Sequence, residues 1–193
     1  MVSTLISSIS GKLEAKGIDY ADVSIGGITL HASIPTKTSG DLGEIGTHVR
    51  LLTSLQIRQD QISLYGFSTE VDRITFDTLI NINGVGPRLA LAILSTFTAG
   101  ELSAIVNSGS TNTLTQVPGV GKRTADRILL ELKGKIDQIS DIILVDSDSQ
   151  DVLSALTALG YSVHEAQQAM ASVPRNKDIS TEDWIRMALQ YLT

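Results

Sequence analysis

Residues 79–94 are repeated, with eight identities, at 114–129, and this duplication leaves few folds open to the chain. Leu79-Ile-Asn-Ile-Asn-Gly84-Val85-Gly86-Pro87-Arg88-Leu-Ala90-Leu-Ala-Ile93-Leu94 aligns with Leu114-Thr-Gln-Val-Pro-Gly119-Val120-Gly121-Lys122-Arg123-Thr-Ala125-Asp-Arg-Ile128-Leu129. Each copy sets Gly-Val-Gly between a short apolar helix and a longer one. The glycines permit a tight turn and close approach of another backbone. Amides of the turn and of the following first helical turn have no intrahelical partner, so they form an anion site assisted by the helix dipole. Arg88 in one copy, and Lys122 with Arg123 in the other, stand where they add positive charge. Two such sites on one unit match successive phosphates of a nucleic-acid strand, a contact that carries no base information.

Other readings of the motif fit less well. A dinucleotide fingerprint needs a third glycine and a βαβ setting, and Gly84-Val-Gly86-Pro-Arg-Leu89 has neither. A phosphate-binding loop of the Walker type needs Ser or Thr after Gly121-Lys122 and Gly at position 116, where Arg123 and Gln116 stand. Packing alone would account for one glycine hairpin. Two hairpins with cations at equal offsets favour phosphate.

Around the repeat the chain changes character twice. Residues 1–67 read as strands: Leu5–Lys16 bent near Gly11, then Asp19–Ile25 and Ile28–Ile34 about a Gly26-Gly27 turn. His48–Ile57 and Ile62–Tyr65 follow, about a polar tip at 58–61. So many short strands in so small a segment predict a barrel. From Ser68 the apolar spacing becomes helical, with helices expected around 71–79, over 89–94, Ala99–Val106 and Thr124–Ile136. Residues 139–150 are rich in Asp and Ser and read as a flexible acidic linker. Three short helices close the chain at Asp151–Leu159, His164–Ser172 and Thr181–Leu192, with Ser162 and Glu165 forming a capping box and Ser180 or Thr181 capping the last. Trp184 falls on the apolar stripe of that last helix.

Composition narrows the function. The 193 residues are 42% hydrophobic with only 4% aromatic, so Val, Ile, Leu and Ala must build the core. Absence of Cys excludes disulfides, thiolate metal sites and cysteine catalysis, and three scattered histidines (His31, His48, His164) make a poor zinc site. No apolar run approaches the roughly 20 residues of a membrane span. The start, Met1–Ser8, lacks the pattern of a signal peptide, so a cytoplasmic protein is expected. The net charge of −6 conceals a gradient: residues 1–66 carry −1, 67–138 balance at zero, and 139–193 carry −5. A basic face in the middle is therefore compatible with an acidic chain. No carboxylates are spaced for two-metal hydrolysis; Asp72, Asp77 and Asp126 are scattered, which weighs against a junction or flap nuclease. A structural adaptor whose hairpins pack protein is the remaining rival.

The duplicated hairpins, preceded by Leu64-Tyr65-Gly66-Phe67, resemble the helix-hairpin-helix motifs of the RuvA family, bacterial proteins that bind Holliday junctions. The resemblance runs along the whole chain and implies a multidomain α+β protein. Its parts would be an oligonucleotide-binding (OB-fold) barrel over 1–67, a double helix-hairpin-helix domain over 68–138, the linker 139–150, and a small three-helix (UBA-like) domain over 151–193. It implies a flat homotetramer, or an octamer of two tetramers, that holds an open four-way junction on a basic surface. Junction phosphates would fall to Gly84, Val85, Gly86, Arg88, Gly119, Val120, Gly121, Lys122, Arg123 and Arg127. Arg127, four residues after Arg123, shares its helical face. Lys133 and Lys135, near a helix end, would complement the dipole.

The same resemblance implies an acidic pin at the tetramer centre, here Gln59 and Asp60. Gln59 stands where a Glu is common in the family, which halves the charge that the pin brings. Gly26–Leu30 also departs from the family pattern, and about four residues more than that pattern has precede the first strand. Leu156, Leu159 and Tyr161 would contact the motor ATPase RuvB; as plain sequence, Leu156 and Leu159 read equally as core, with Gly160 ending the helix. The resolvase RuvC is a further implied partner. No cofactor, no metal and no intrinsic catalytic site are implied.

Overall fold

The computed structural model describes residues 5–58, 61–133, 135, 151–173 and 180–192. The described residues form two compact units, one within 1–140 and the other within 141–193.

The first unit opens with five strands: β1 (Ser8–Lys16), β2 (Tyr20–Ile25), β3 (Ile28–Ser33), β4 (His48–Arg58) and β5 (Gln61–Phe67). They close in the order β1-β2-β3-β5-β4. All pairings are antiparallel except β3 with β5, where Ala32 faces Leu64 and Ser33 faces Tyr65. This is an OB-like barrel. Alternation along the strands turns Ile9, Leu13, Val23, Ala32 and Leu51 inward to a shared core. Two local features curve β1: a bulge between Leu13 and Ala15, and Gly11, where any Cβ would stand 2.1 Å from the Ser24 carbonyl oxygen.

A short helix, α1 (Thr36–Asp41), lies between β3 and β4 where the sequence shows no helical period. Lys16 holds it down, its Nζ donating to the carbonyls of Leu42 at 2.9 Å and Ser39 at 3.3 Å.

Among the described residues five helices follow: α2 (Glu70–Ile80), α3 (Pro87–Thr96), α4 (Ala99–Ser108), α5 (Thr111–Leu114) and α6 (Lys122–Lys133). The last lies two to three residues earlier than the sequence spacing places it. α4 begins in a capping box between Thr98 and Glu101 and ends at Gly109, φ +67°. The helices share one core, in which Phe76 of α2 meets Phe67 and Tyr65 of β5 at ring-centre separations of 5.0 and 4.9 Å. Barrel and helices are thus packed together through aromatic rings (burying one contributes roughly 3 kcal/mol or more). Polar contacts add to the seam. Ser54 of β4 donates to Asp77 of α2 at 2.6 Å, and the Thr36 amide donates to Ser95 of α3 at 3.0 Å.

The second unit holds α7 (residues 151–158), α8 (Val163–Ser172) and α9 (Thr181–Leu192) around Val152, Leu156, Ala166, Ala169, Trp184 and Ala188. Ser162 and Glu165 form the expected capping box, and Ser180 rather than Thr181 caps α9, accepting from the Asp183 amide. Gly160, φ +99°, ends α7 in a Schellman motif: Tyr161 N–H bonds the Leu156 carbonyl and Gly160 N–H the Thr157 carbonyl. The expected linker at 139–150 lies outside the described residues.

Candidate nucleic-acid interface

The duplication in sequence is a duplication in hydrogen bonds. In the first hairpin the Ile82 amide donates to Leu79, Val85 to Ile82, and Ala90 to Gly86, at 3.0 Å each. Thirty-five residues on, Val117 donates to Leu114 at 3.1 Å, Val120 to Val117 at 3.0 Å, and Ala125 to Gly121 at 2.9 Å. The turn glycines match as well, with φ +88° at Gly84 and +89° at Gly119, a region that costs other residues about 1–2 kcal/mol. Leu79, Ala90 and Ile93, and their counterparts Leu114, Ala125 and Ile128, are all fully buried.

What each turn leaves outward is equally regular. Gly84, Gly86, Gly119 and Gly121 are exposed, and their amides donate to no described residue. Gly86 also caps α3 without any side-chain bond, leaving the first-turn amides open. Arg88, Lys122, Arg123 and Arg127 are all exposed. Open amides, a helix N-terminus and cations meet at each turn, a combination suited to an oxyanion such as phosphate.

The copies differ where Lys122 of the second corresponds to Pro87 of the first. Pro supplies neither a cation nor a backbone N–H, so at this position the second copy offers one of each that the first copy lacks. Val85 and Val120 stand apart from the other expected site residues. They are 4% and 5% exposed, and their amides are spent on Ile82 and Val117. Their part is to pin the turn to the core, and the outward surface belongs to the glycines around them.

The two hairpins also clasp each other, which sequence reasoning missed. Leu89 of α3 lies against the second turn, its Cδ1 3.3 Å from where a Cβ on Gly119 would stand. In return, Arg127 of α6 reaches the first turn, its Nη1 donating to the Asn83 carbonyl at 2.9 Å. The participants are 30 and 44 residues apart and carry no shared pattern, so only the folded chain reveals them. Lys133 lies in the last turn of α6, where a cation complements the dipole, and the Lys135 amide donates to the Leu132 carbonyl.

One ionic group sits away from the turns, at the seam of barrel and helices. Arg73 of α2 donates to Asp77 at 3.0 Å and pairs with Glu70, while Gln56 supports Ser54 at 3.0 Å. Burial pushes the Asp77 carboxyl above its ordinary range, with the Ser54 bond and the Arg73 charge opposing it. The bond to Glu70 raises Arg73 further, against burial. At the surface, the Thr98 backbone N–H, then its hydroxyl, hold the Glu101 carboxyl below its usual range.

The remaining expected sites fare unevenly. Gln59 and Asp60 of the pin lie outside the described residues. At the base of that hairpin Ile57 and Ile62 face one another across β4 and β5, 61% and 72% exposed. Of the three residues expected at a partner surface, Leu156 is fully buried in the core of the second unit, so a contact through it is corrected to packing. Leu159 is 61% exposed and Tyr161 half-buried; Tyr191 of α9, which sequence reasoning did not single out, is also exposed. Among the described residues no three His, Asp or Glu side chains are grouped to hold a metal ion, and no single helix is long and apolar enough to cross a membrane.

Comparison with known proteins covers nearly the whole chain. Residues 6–66 match the model of the RuvA N terminal domain, 76–135 that of the SAM-like helix-hairpin-helix tandem, and 147–193 that of the RuvA C-terminal domain. The chain is 40% identical over 190 residues to the Holliday junction branch migration complex subunit RuvA of Dehalococcoides mccartyi, covering 97% of this chain and 98% of that protein. It is 42% identical over 190 residues to the subunit of the same description from Albidiferax ferrireducens, covering 97% and 99%. A third, from Chloroflexus aggregans, is 40% identical over 191 residues, covering 97% and 98%.

Proposed function

Because the chain belongs to the RuvA family, we propose that it binds four-way DNA junctions through their phosphates and serves as the non-catalytic subunit of a branch-migration complex. One observation carries the reading: two turns with matching hydrogen bonds and glycine torsions present open amides and cations together. At the first turn the Gly84 and Gly86 amides and Arg88 take one phosphate. At the second the Gly119 and Gly121 amides, Lys122 and Arg123 take another. Arg127 adds charge. Val85 and Val120 hold the turns in shape from beneath. Phosphate contacts of this kind carry no base information, so binding selects the geometry of the DNA and ignores its sequence.

An acidic chain binds DNA in this way because its positive face is local. Four copies arranged about the junction, as a tetramer or as two facing tetramers, multiply that face while the acidic C-terminal segment lies apart in sequence. In this arrangement residues 1–67 form the tetramer and carry the pin, residues 68–138 hold DNA, 139–150 tether, and 151–193 recruit the RuvB motor through Leu159 and Tyr161. RuvC is the further partner, acting on the junction held open. At the pin, Gln59→Glu should increase strand separation at the crossover, read as fluorescence of a base analogue there; unchanged fluorescence would remove the pin from the mechanism.

The function is tested by titrating the chain against several four-way junctions whose arm sequences are unrelated. Affinities equal within about twofold are expected, since a single base-pair preference typically contributes about 1–3 kcal/mol. A tenfold preference for one sequence would contradict phosphate-only recognition.

A further inference from the structure

Arg127 has no basic counterpart in the first copy of the repeat, where the equivalent residue is Ala92. By sequence it belongs with Lys122 and Arg123 on α6. The fold directs it elsewhere, to the first turn, where Nη1 donates to the Asn83 carbonyl at 2.9 Å and lies 3.5 Å from the place of a Cβ on Gly84. Resting on the reading that both hairpins hold phosphate, we propose that Arg127 is a residue of the first hairpin's anion site, supplied by the second hairpin, where it both positions the Gly84 amide and adds charge.

Three observations converge on this assignment. The first is charge balance. The first copy brings Arg88 alone, with Pro87 in the place of Lys122; adding Arg127 gives each turn two cations. The second is peptide geometry. The Asn83–Gly84 peptide is trans and planar, so its C=O and N–H point to opposite edges, and a guanidinium that holds the carbonyl fixes the direction of the Gly84 N–H. That N–H donates to no described residue. The third is the absence of competition. Asp126, next in sequence, is engaged by the Thr111 hydroxyl at 3.0 Å, and Arg127 enters no ion pair with a described residue. One N–H of the guanidinium fork is spent on Asn83, and the remaining donors are available to an anion. Gly84 matters here twice, through its φ of +88° and because Arg127 Nη1 lies in ordinary contact, 3.5 Å, with the place a Cβ would take.

The test is a pair of double-mutant cycles on the full chain, read by anisotropy titration against a labelled four-way junction at fixed salt. Arg127→Gln is combined with Arg88→Gln in one cycle and with Lys122→Gln in the other. Residues acting on one phosphate are coupled, so the first double variant should lose at least threefold less affinity than the product of the single losses. The second should match that product within about twofold, the scatter of independent sites. Additivity in both cycles, or coupling to Lys122 alone, would overturn the assignment. The positioning role has its own readout without DNA: in the ¹H–¹⁵N spectrum, Arg127→Gln should move the Gly84 amide resonance and leave that of Gly119 in place. An unmoved Gly84 resonance would refute it. If the unaltered chain bound no junction at all, the phosphate reading would fail, and this assignment with it.

Discussion

Gly84 and Gly119 show how much of the site depends on single residues. Both hold a φ near +90°, where an added Cβ is strained. Gly84→Ala and Gly119→Ala should each cost about 1–2 kcal/mol of stability, with Gly119→Ala the greater because Leu89 must also yield. Denaturant midpoints check this; equal or negligible losses would mean the turns relax without their glycines. Asp77 supplies a second residue-scale prediction. Burial raises its carboxyl, so the folded chain binds that proton more tightly than the unfolded one. Stability associated with the protonated form is therefore lost as pH rises from the ordinary Asp range through the raised one. Relative to Asp77→Asn, the unaltered chain should lose stability across that window and stay level above it. A difference that grows with pH would contradict the burial argument. Glu101, held low by its capping bonds, has the opposite sign: its contribution disappears as pH falls.

At the scale of elements, the hairpin repeat was legible because glycine torsion, buried apolar positions and helix starts all leave marks in local sequence. The capping box at Ser162 and Glu165 and the stop at Gly160 were legible for the same reason. Contacts between elements were not. Asn83 with Arg127, Leu89 with Gly119, and Ser54 with Asp77 join segments that share no period. The helix α1 carries a Gly and two Thr in six residues; it is held from outside by Lys16 and by the Gly17 carbonyl, which accepts from the Ser39 hydroxyl, so propensity could not reveal it. Leu156 was ambiguous in sequence because core and interface draw on the same residue types. Two predictions belong here. Thr98→Ala removes the cap of α4 and should cost about 1 kcal/mol, read by thermal unfolding. Because Pro87 replaces Lys122 in the first copy, Lys122→Gln with Arg123→Gln should weaken junction binding more than Arg88→Gln; the reverse order would make the first turn the stronger site.

For the whole molecule, the charge is divided unevenly along the chain. Residues 139–193 carry −5 of the total −6. A chain ended after residue 140 should bind the junction at least as tightly as the full chain, since the segment it lacks repels phosphate, and should no longer support motor-driven migration. Weaker binding would show that the second unit contributes to the DNA surface. The central claim is that the chain reads the shape of a junction through phosphates. Its most direct test is a competition gel shift at two salt concentrations, setting a four-way junction against linear duplex of equal length. The account predicts strong preference for the junction, with affinity falling roughly 10³-fold or more between 50 and 200 mM salt for an assembly making six or more phosphate contacts. Equal binding to both DNAs, or binding indifferent to salt, would contradict it.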